Sequence, residues 1–324
     1  MTVLAVDFGG TRIKLGLVNS GRAIAQAVLP AQSDEPLAQR LEQVADALEK
    51  LCERSGIDPR TCDGIGVSYP SIIDSSRARI LDHFGKFGDA SQLDLRGWAR
   101  QRLNLPLAID NDARMALIGE WRFGAGRGCD NCVIITLGTG IGVSAVIEGR
   151  VLRGVHGQAG ILGGHITLRH GGGDCVCGNV GCAESEASTS VVNRLAHEHP
   201  DFHQSALASK STIDYAAIFE LAEQGDACAL SLRDHSLQVW SALAVSLIHV
   251  FDPERVILGG GVMGSAKFIL PAVQSYVNQH AHTPWGKVRV VASELGDRAA
   301  LLAGEWLVQE YLEKTIENES LELR

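Results

Sequence analysis

The sequence predicts an α/β protein of two similar halves, each built on a strand–strand–helix–strand–helix unit, with a zinc-binding loop in the second half. Three observations predict it. The chain opens on a short apolar run, a Gly/Thr turn and a second apolar run. The same order restarts at residue 132. Between them and the C-terminus, three cysteines fall within the eight residues 175–182.

In chain order, residues 2–7 read as a buried strand, Gly9-Gly10-Thr11 as a turn and Ile13–Val18 as a second strand. Over 36–55, Leu37, Leu41, Val44, Ala45, Leu48 and Leu51 recur at helical spacing. Gly64–Ser68 is a short strand stopped by Tyr69-Pro70-Ser71. Leu107–Ile109 is another, running into Asp110-Asn111-Asp112, with a helix beginning over Ala113–Gly119. The second half repeats the pattern with strand Cys132–Leu137, turn Gly138-Thr139-Gly140 and strand Gly142–Ile147. The cysteine loop follows, then helices across 185–249 and a strand at Val256–Leu258. An amphipathic helix, Ala299–Tyr311, is expected to pack back on the first half. No Pro-, Gly- or Ser-rich linker separates the halves, so the boundary is expected inside ordered structure. The predicted domains are 1–118 with the C-terminal helix 299–324, and 119–298 with the loop 165–184.

Composition narrows the function classes. A net charge of −9 with no basic run argues against a nucleic-acid surface. No stretch reaches the eighteen apolar residues of a membrane span, and no leader precedes the first strand, so a cytoplasmic protein is expected. A chain of 324 residues buries a full core without disulfides, so its eight cysteines need another explanation. Cys129 and Cys132 form a C-x-x-C pair with no partner pair nearby and read as structural.

Cys175, Cys177 and Cys182, with His165 upstream, form the donor set that tetrahedral zinc prefers. Gly178 and Gly181 let the chain reverse tightly enough to aim three sulfurs at one point. Four protein ligands leave no open position, so the metal is expected to be structural. His170 competes for the fourth place but lies in a His-Gly-Gly-Gly turn, and His165 is preferred.

Glycine turns recur at strand ends: Asp7-Phe8-Gly9-Gly10-Thr11, Gly138-Thr139-Gly140 and Gly259-Gly260-Gly261. Such turns bring backbone N–H groups close to phosphate oxygens, and Asp7 can hold hydrated Mg²⁺. Each turn alone is equally well explained by turn geometry. Their repetition in two halves is what points to a phosphate gripped between domains. Asn111-Asp112 at a strand-to-helix junction reads either as a helix cap or as a base that takes a proton from an attacking hydroxyl. The residues alone leave both readings open.

Taken together, these motifs resemble the ROK family (repressors, uncharacterised reading frames and sugar kinases), in order from the N-terminus to the region of residue 305. Asp7-x-Gly9-Gly10-Thr11 looks like the family's first phosphate motif and Gly138-Thr139-Gly140-x-Gly142 its second. Asn111-Asp112-Ala113 looks like its N-D-A-N stretch, and Gly259-Gly260-Gly261 like its adenosine-side turn. Cys175-x-Cys177-Gly178-x-x-Gly181-Cys182-x-Glu184 matches its zinc signature at every defined position. The resemblance implies two actin-like (ribonuclease-H-like) domains closing on ATP and a sugar, Asp112 as catalytic base, and a homodimer. It also implies sugar contacts from Asn111, from His165 besides its zinc bond, and from Glu184; His156 is a further candidate.

Departures cluster on the sugar side. The Glu of the family's Glu-x-Gly-His is missing from Gly160-Ile161-Leu162-Gly163-Gly164-His165. Arg114 stands where the second Asn is expected, Ser71 where a Gly is usual, and no Asn is evident in 81–86. The expectation is an ATP- and Mg²⁺-dependent kinase acting on the 6-hydroxyl of a hexose or N-acyl hexosamine. Its selectivity is expected in 81–89 and 156–165. The alternatives are a sugar-binding regulator, which would carry a winged helix ahead of Asp7, and a catalytically silent sensor.

Overall fold

The computed structural model describes residues 1–82 and 85–322, with side chains through residue 317. The chain divides into two compact units. Unit 1 holds Met1–Arg127, Arg153–Ala159 and the segment from Asp297; unit 2 holds Gly128–Leu152 and Gly160–Gly296.

Unit 1 opens with β1 (Thr2–Phe8), β2 (Arg12–Asn19) and β3 (Arg22–Pro30), an antiparallel meander. Helix α1 (Leu37–Arg54) leads to β4 (Gly64–Tyr69), a two-residue ladder of β5 (Ile73–Asp74) and β6 (Arg79–Ile80), helix α2 (Leu95–Leu103), β7 (Leu107–Asn111) and α3 (Asp112–Phe123). The sheet order is β3-β2-β1-β4-β7, with β1, β4 and β7 parallel. Strand β3 escaped the sequence reading. It is a sheet-edge strand whose exposed positions include Ile24 and Val28, so no apolar/polar alternation marks it.

Unit 2 holds β8 (Cys132–Leu137), β9 (Ile141–Ile147) and β10 (Arg150–Val151). Helices α4 (Ala183–Ala187), α5 (Thr189–Glu198), α6 (Tyr215–Glu223) and α7 (Ala227–Phe251) follow, then β11 (Arg255–Gly259), α8 (Ala266–His280) and β12 (Arg289–Ala292). Its sheet order, β10-β9-β8-β11-β12, is the order of the first sheet, with the hairpin strands antiparallel and the crossover strands parallel. A strand–crossover–parallel strand step places the end of every parallel strand on one edge of the sheet, where a ligand can be reached.

Helix α9 (Ala299–Glu322) returns to unit 1. The apolar spacing suggested an end at Tyr311. The helix runs further because Gln309–Glu313 and Glu310–Lys314 pair one turn apart on its polar continuation. Both faces of the first sheet are covered: Leu4, Val6 and Phe8 join the core that contains α1, while the intervening Ala5 meets α9 at Gly304.

That second contact is made by backbone. A Cβ added at Gly66 of β4 would lie 2.6 Å from the Cα and carbonyl oxygen of Gly304, and one at Gly119 of α3 would lie 2.2 Å from the Ala299 oxygen. Gly66→Ala is therefore expected to destabilise the protein by about 1–3 kcal/mol, the usual cost of forcing atoms into a packed core. Chemical denaturation measures it; a wild-type midpoint for Gly66→Ala would contradict the close approach.

Candidate active site

In unit 1 the ends of β1, β4 and β7 emerge side by side, because Asp7 pairs with Ser68 and Ser68 with Asp110 across parallel ladders. The Ser68 hydroxyl donates to Asp7 Oδ1 at 2.7 Å. Lys14 lies directly opposite Asp7 in the β1–β2 hairpin, its ammonium 3.3 Å from Oδ2 and 3.1 Å from Asp297. The turn over Gly9, Gly10 and Thr11 joins those two strands. A Cβ at Gly10 would stand 3.3 Å from the Lys86 ammonium, so glycine leaves that cation its place.

Asp112 is the first residue of α3, and the cap is its neighbour. Asn111 Oδ1 accepts the N–H of Arg114 at 3.1 Å. The Asn111 amide donates to the Ser71 carbonyl and to Asp112 Oδ1, each at 3.0 Å. Asn111 is thus committed inside the protein, and what it visibly orients is Asp112. The Ala113 N–H donates to the same Oδ1 at 2.8 Å. Burial pushes the Asp112 carboxyl up to about 6; the Asp7 charge adds to this, while the Ala113 N–H and the Lys86 ammonium oppose it. An acid poised near neutrality can accept a proton during a reaction and release it afterwards.

Behind this pair lies a buried ionic network. Asp110 and Arg114 are both fully buried and in contact. The Arg114 guanidinium also donates to the carbonyls of Gly157 (2.9 Å) and Ala159 (3.4 Å). Arg153 donates to Asp110 Oδ2 at 3.0 Å and grips Glu310 with two nitrogens at 2.9 and 3.3 Å. The arginine that departs from N-D-A-N therefore anchors the segment 153–159, which presents an exposed His156 within unit 1.

Unit 2 brings the other two glycine turns together. Thr136 and Gly259 are paired on neighbouring strands, and a Cβ at Gly260, whose φ is +90°, would fall 2.2 Å from the Leu137 oxygen. The carbonyls of Gly138 and Thr139 accept the N–H groups of Thr189 and Ser190 at the start of α5. Glu184 Oε2 accepts the Ile141 N–H at 2.8 Å, just beyond Gly140, and Oε1 has no hydrogen-bond partner among the described residues. A cleft of about 430 Å³ opens beside Gly261, lined by Tyr215, Phe219, Ser265, Lys267 and Phe268. That is ample for a nucleoside.

The donor atoms of His165, Cys175, Cys177 and Cys182 lie within 4.8 Å of one another; His170 is not among them. Cys177 and Cys182 sulfurs are 3.8 Å apart, and Cys175 Sγ is 3.4 Å from His165 Nδ1. A tetrahedron with Zn–S bonds of about 2.3 Å separates its sulfurs by about 3.8 Å, so the four donors fit zinc. Two isolated bridges, Thr167–Cys182 and Asp174–Val180, tie the loop together. Gly164 lets His165 approach: a Cβ there would lie 1.8 Å from the Ile141 oxygen. Cys129 and Cys132, outside the cluster, are buried in unit 2.

Sequence reasoning missed Lys14, Ser68, Lys86 and Arg153. Lys14 was legible in principle, since a hairpin closing over Gly9–Thr11 sets it opposite Asp7. The others carry no local signal. Of the segment 81–89, His83 and Phe84 lie outside the described residues.

The ROK family model matches residues 3–311 of this chain. A glucokinase of Halalkalibacterium halodurans is 32% identical over 319 residues, covering 95% of this chain and 94% of that protein. A solved ROK hexokinase from Thermus thermophilus has a TM-score of 0.78 at 30% identity, covering 97% of this chain and 99% of its own. A ROK family glucokinase from Streptomyces griseus, in complex with glucose and AMPPNP, has a TM-score of 0.77 at 29% identity, with 96% of this chain and 100% of that one covered.

Losing one member of a buried ion network leaves an uncompensated charge, at a cost of about 3–5 kcal/mol. Arg114→Met is expected to destabilise by that order, and Arg114→Lys to recover little, since one ammonium cannot span Asp110 and two carbonyls. Thermal unfolding of both variants measures this; full recovery by lysine would show that charge alone matters.

Proposed function

The chain belongs to the ROK family, and on that premise we propose that it is an ATP- and Mg²⁺-dependent kinase that phosphorylates a sugar, at the 6-hydroxyl of a hexose or N-acyl hexosamine. The observation that carries the reading is Asp112, a carboxyl pushed up to about 6 and held by Asn111 at a helix start, next to the Asp7 turn. Asp112 accepts the hydroxyl proton as the sugar oxygen attacks the γ-phosphorus and the bond from that phosphorus to the bridging oxygen breaks, ADP leaving. Asp7, steadied by Ser68 and Lys14, would hold the hydrated Mg²⁺, which supplies charge neutralisation on the phosphates. Gly9, Gly10 and Thr11 in unit 1, and Gly138, Thr139 and Gly140 in unit 2, offer backbone N–H groups to phosphate. Gly259, Gly260 and Gly261 border the nucleoside cleft. Glu184 and His156 are the proposed sugar contacts, with His165 serving the zinc through Nδ1 and the sugar side through its other edge. Little covalent work is left for the protein, so positioning carries most of the rate enhancement.

The proposal extends to the architecture. The shared strand order of the two sheets supports two actin-like domains; the bounds proposed for them are 1–118 with 299–324 and 119–298, apart from 119–127 and Arg153–Ala159, which group with unit 1. A cytoplasmic homodimer is proposed, the dimer from the family resemblance alone. Among the described residues no helix is long and apolar enough to cross a membrane. A regulator or silent sensor is the weaker reading, because binding alone gives no reason to hold a carboxyl near neutrality.

Asp112→Asn is expected to lower kcat by about 10²–10⁴-fold with ATP affinity retained, as for removal of a positioned base. In the wild type, kcat/KM should rise with pH about a midpoint near 6 as Asp112 becomes a carboxylate. Stability moves the other way. The folded pKa exceeds the unfolded value, so the charged form costs stability that grows from pH 4 through pH 6 and stays constant above. Asp112→Asn should therefore be more stable at pH 7, by about 1–3 kcal/mol. A variant that keeps its turnover would leave Asp112 no catalytic part.

Metal analysis should find about one zinc per chain, as a four-ligand site requires. A chelator, or Cys177→Ser, should lower the melting temperature; unchanged melting of a zinc-free protein would overturn the structural metal. Across a sugar panel, epimers, amino sugars or N-acyl sugars should exceed glucose in kcat/KM, since the Glu before His165 is missing and a hydroxyl left unpaired costs about 1–3 kcal/mol. Glucose leading every alternative by about tenfold would refute the altered pocket.

A further inference from the structure

Unit 1 contains a second concavity, of about 410 Å³, that shares no lining residue with the glycine turn or with Asn111 and Asp112. Its walls are the Ser75–Ser76 turn after β5, Arg96 in the first turn of α2, Ala108 and Ile109 of β7, Arg153, and α9 from Leu307 to Thr315. Among the described residues the lining carries three cations, Arg96, Arg153 and Lys314, against one carboxylate, Glu310. Glu310 is shared, bonded to Arg153 and to Lys314 at 2.9 Å each. The second partner of Arg153, Asp110, is matched in turn by Arg114. The excess positive charge is therefore about two.

Arg96 is the telling residue. Its guanidinium carbon lies over the Tyr311 ring, 4.8 Å from the ring centre, and no ion pair answers it among the described residues. Its Nε is buried without a hydrogen-bond partner. A buried donor left unmade costs free energy, and proteins keep few of them. A flat guanidinium held on an aromatic face presents its edge for a two-point bond to an oxyanion.

We propose that this cleft binds a small organic phosphate monoester. At neutral pH a phosphate monoester carries close to two negative charges and three strong acceptor oxygens, which answers the excess charge of the lining. A carboxylate would answer half of it. Ser75 lines the same cleft, and Ala108, Leu307 and the Tyr311 ring give the carbon portion an apolar surface. The cleft falls in the size range of sites that enclose small molecules, with room beyond a bare phosphate.

The test is calorimetric titration of the intact protein with glycerol 3-phosphate, inorganic phosphate and acetate, for wild type, Arg96→Met and Lys314→Met. It reads binding alone, so it stands whether or not the kinase reading does. Glycerol 3-phosphate should bind more tightly than inorganic phosphate, and acetate least. Arg96→Met should weaken both phosphates by about tenfold or more, the worth of a charge-assisted bond. Lys314→Met, on the exposed side of α9 with 60% of its side chain accessible, should weaken them in the same direction and serves if Arg96→Met folds poorly. Equal affinity in wild type and both variants would assign the binding to the glycine turns and overturn the proposal, as would the absence of any binding. Equal binding of inorganic phosphate and the ester would overturn the organic part of the assignment, and equal binding of acetate its selectivity.

Discussion

Asp110 has no access to water, and much of unit 1 is arranged around that fact. A buried carboxylate must be matched, and Asp110 is matched from three directions: the Arg114 guanidinium, Arg153 Nε and the Asn111 N–H. Each partner fixes something else. Arg114 comes from α3 and holds the carbonyls of 157 and 159; Arg153 reaches Glu310 of α9; Asn111 caps α3 and steadies Asp112. One carboxylate thereby sets the positions of a strand end, a helix start, a loop and the C-terminal helix.

The contrast with Asp112, two residues along and only partly buried, separates two kinds of acid. Asp110 faces two guanidinium groups within bonding distance. Asp112 faces amide donors, a lysine whose influence acts through space, and the like charge of Asp7. The first arrangement is a structural joint. The second keeps a proton within reach at physiological pH. Alternation along β7 and the turn into α3 let both exist in three consecutive residues.

Glycine supplies the other constraint. Gly66 against Gly304, Gly119 against Ala299, Gly260 against Leu137 and Gly164 against Ile141 are places where backbone meets backbone. None of these contacts adds a side chain to a core. At Gly164 the close approach also brings His165 to the cysteine cluster.

The sequence by itself determined what is local. The strands around 2–8, 64–69 and 132–137 and helix α1 followed from apolar periodicity, because both faces of each sheet strand and one face of the helix must be buried. The His165–Cys175–Cys177–Cys182 cluster was legible for a related reason: three of its four side chains sit on one short loop, where glycine spacing favours convergence. Asp7 and Asp112 could be named from their places at strand ends. Tertiary structure decided the rest. Strand β3, a faintly patterned edge, is specified by its hairpin partner more than by its own residues. Whether Asn111 or Asp112 caps α3 depended on where each side chain found donors. Arg114, a departure when read as a motif, became a joint only once Gly157 and Ala159 were beside it, more than forty positions away in the chain. Glu310 met Arg153 across 157 positions. Burial and ion pairing at such separations belong to the packed chain, because a charge far along the sequence leaves no local periodicity to read.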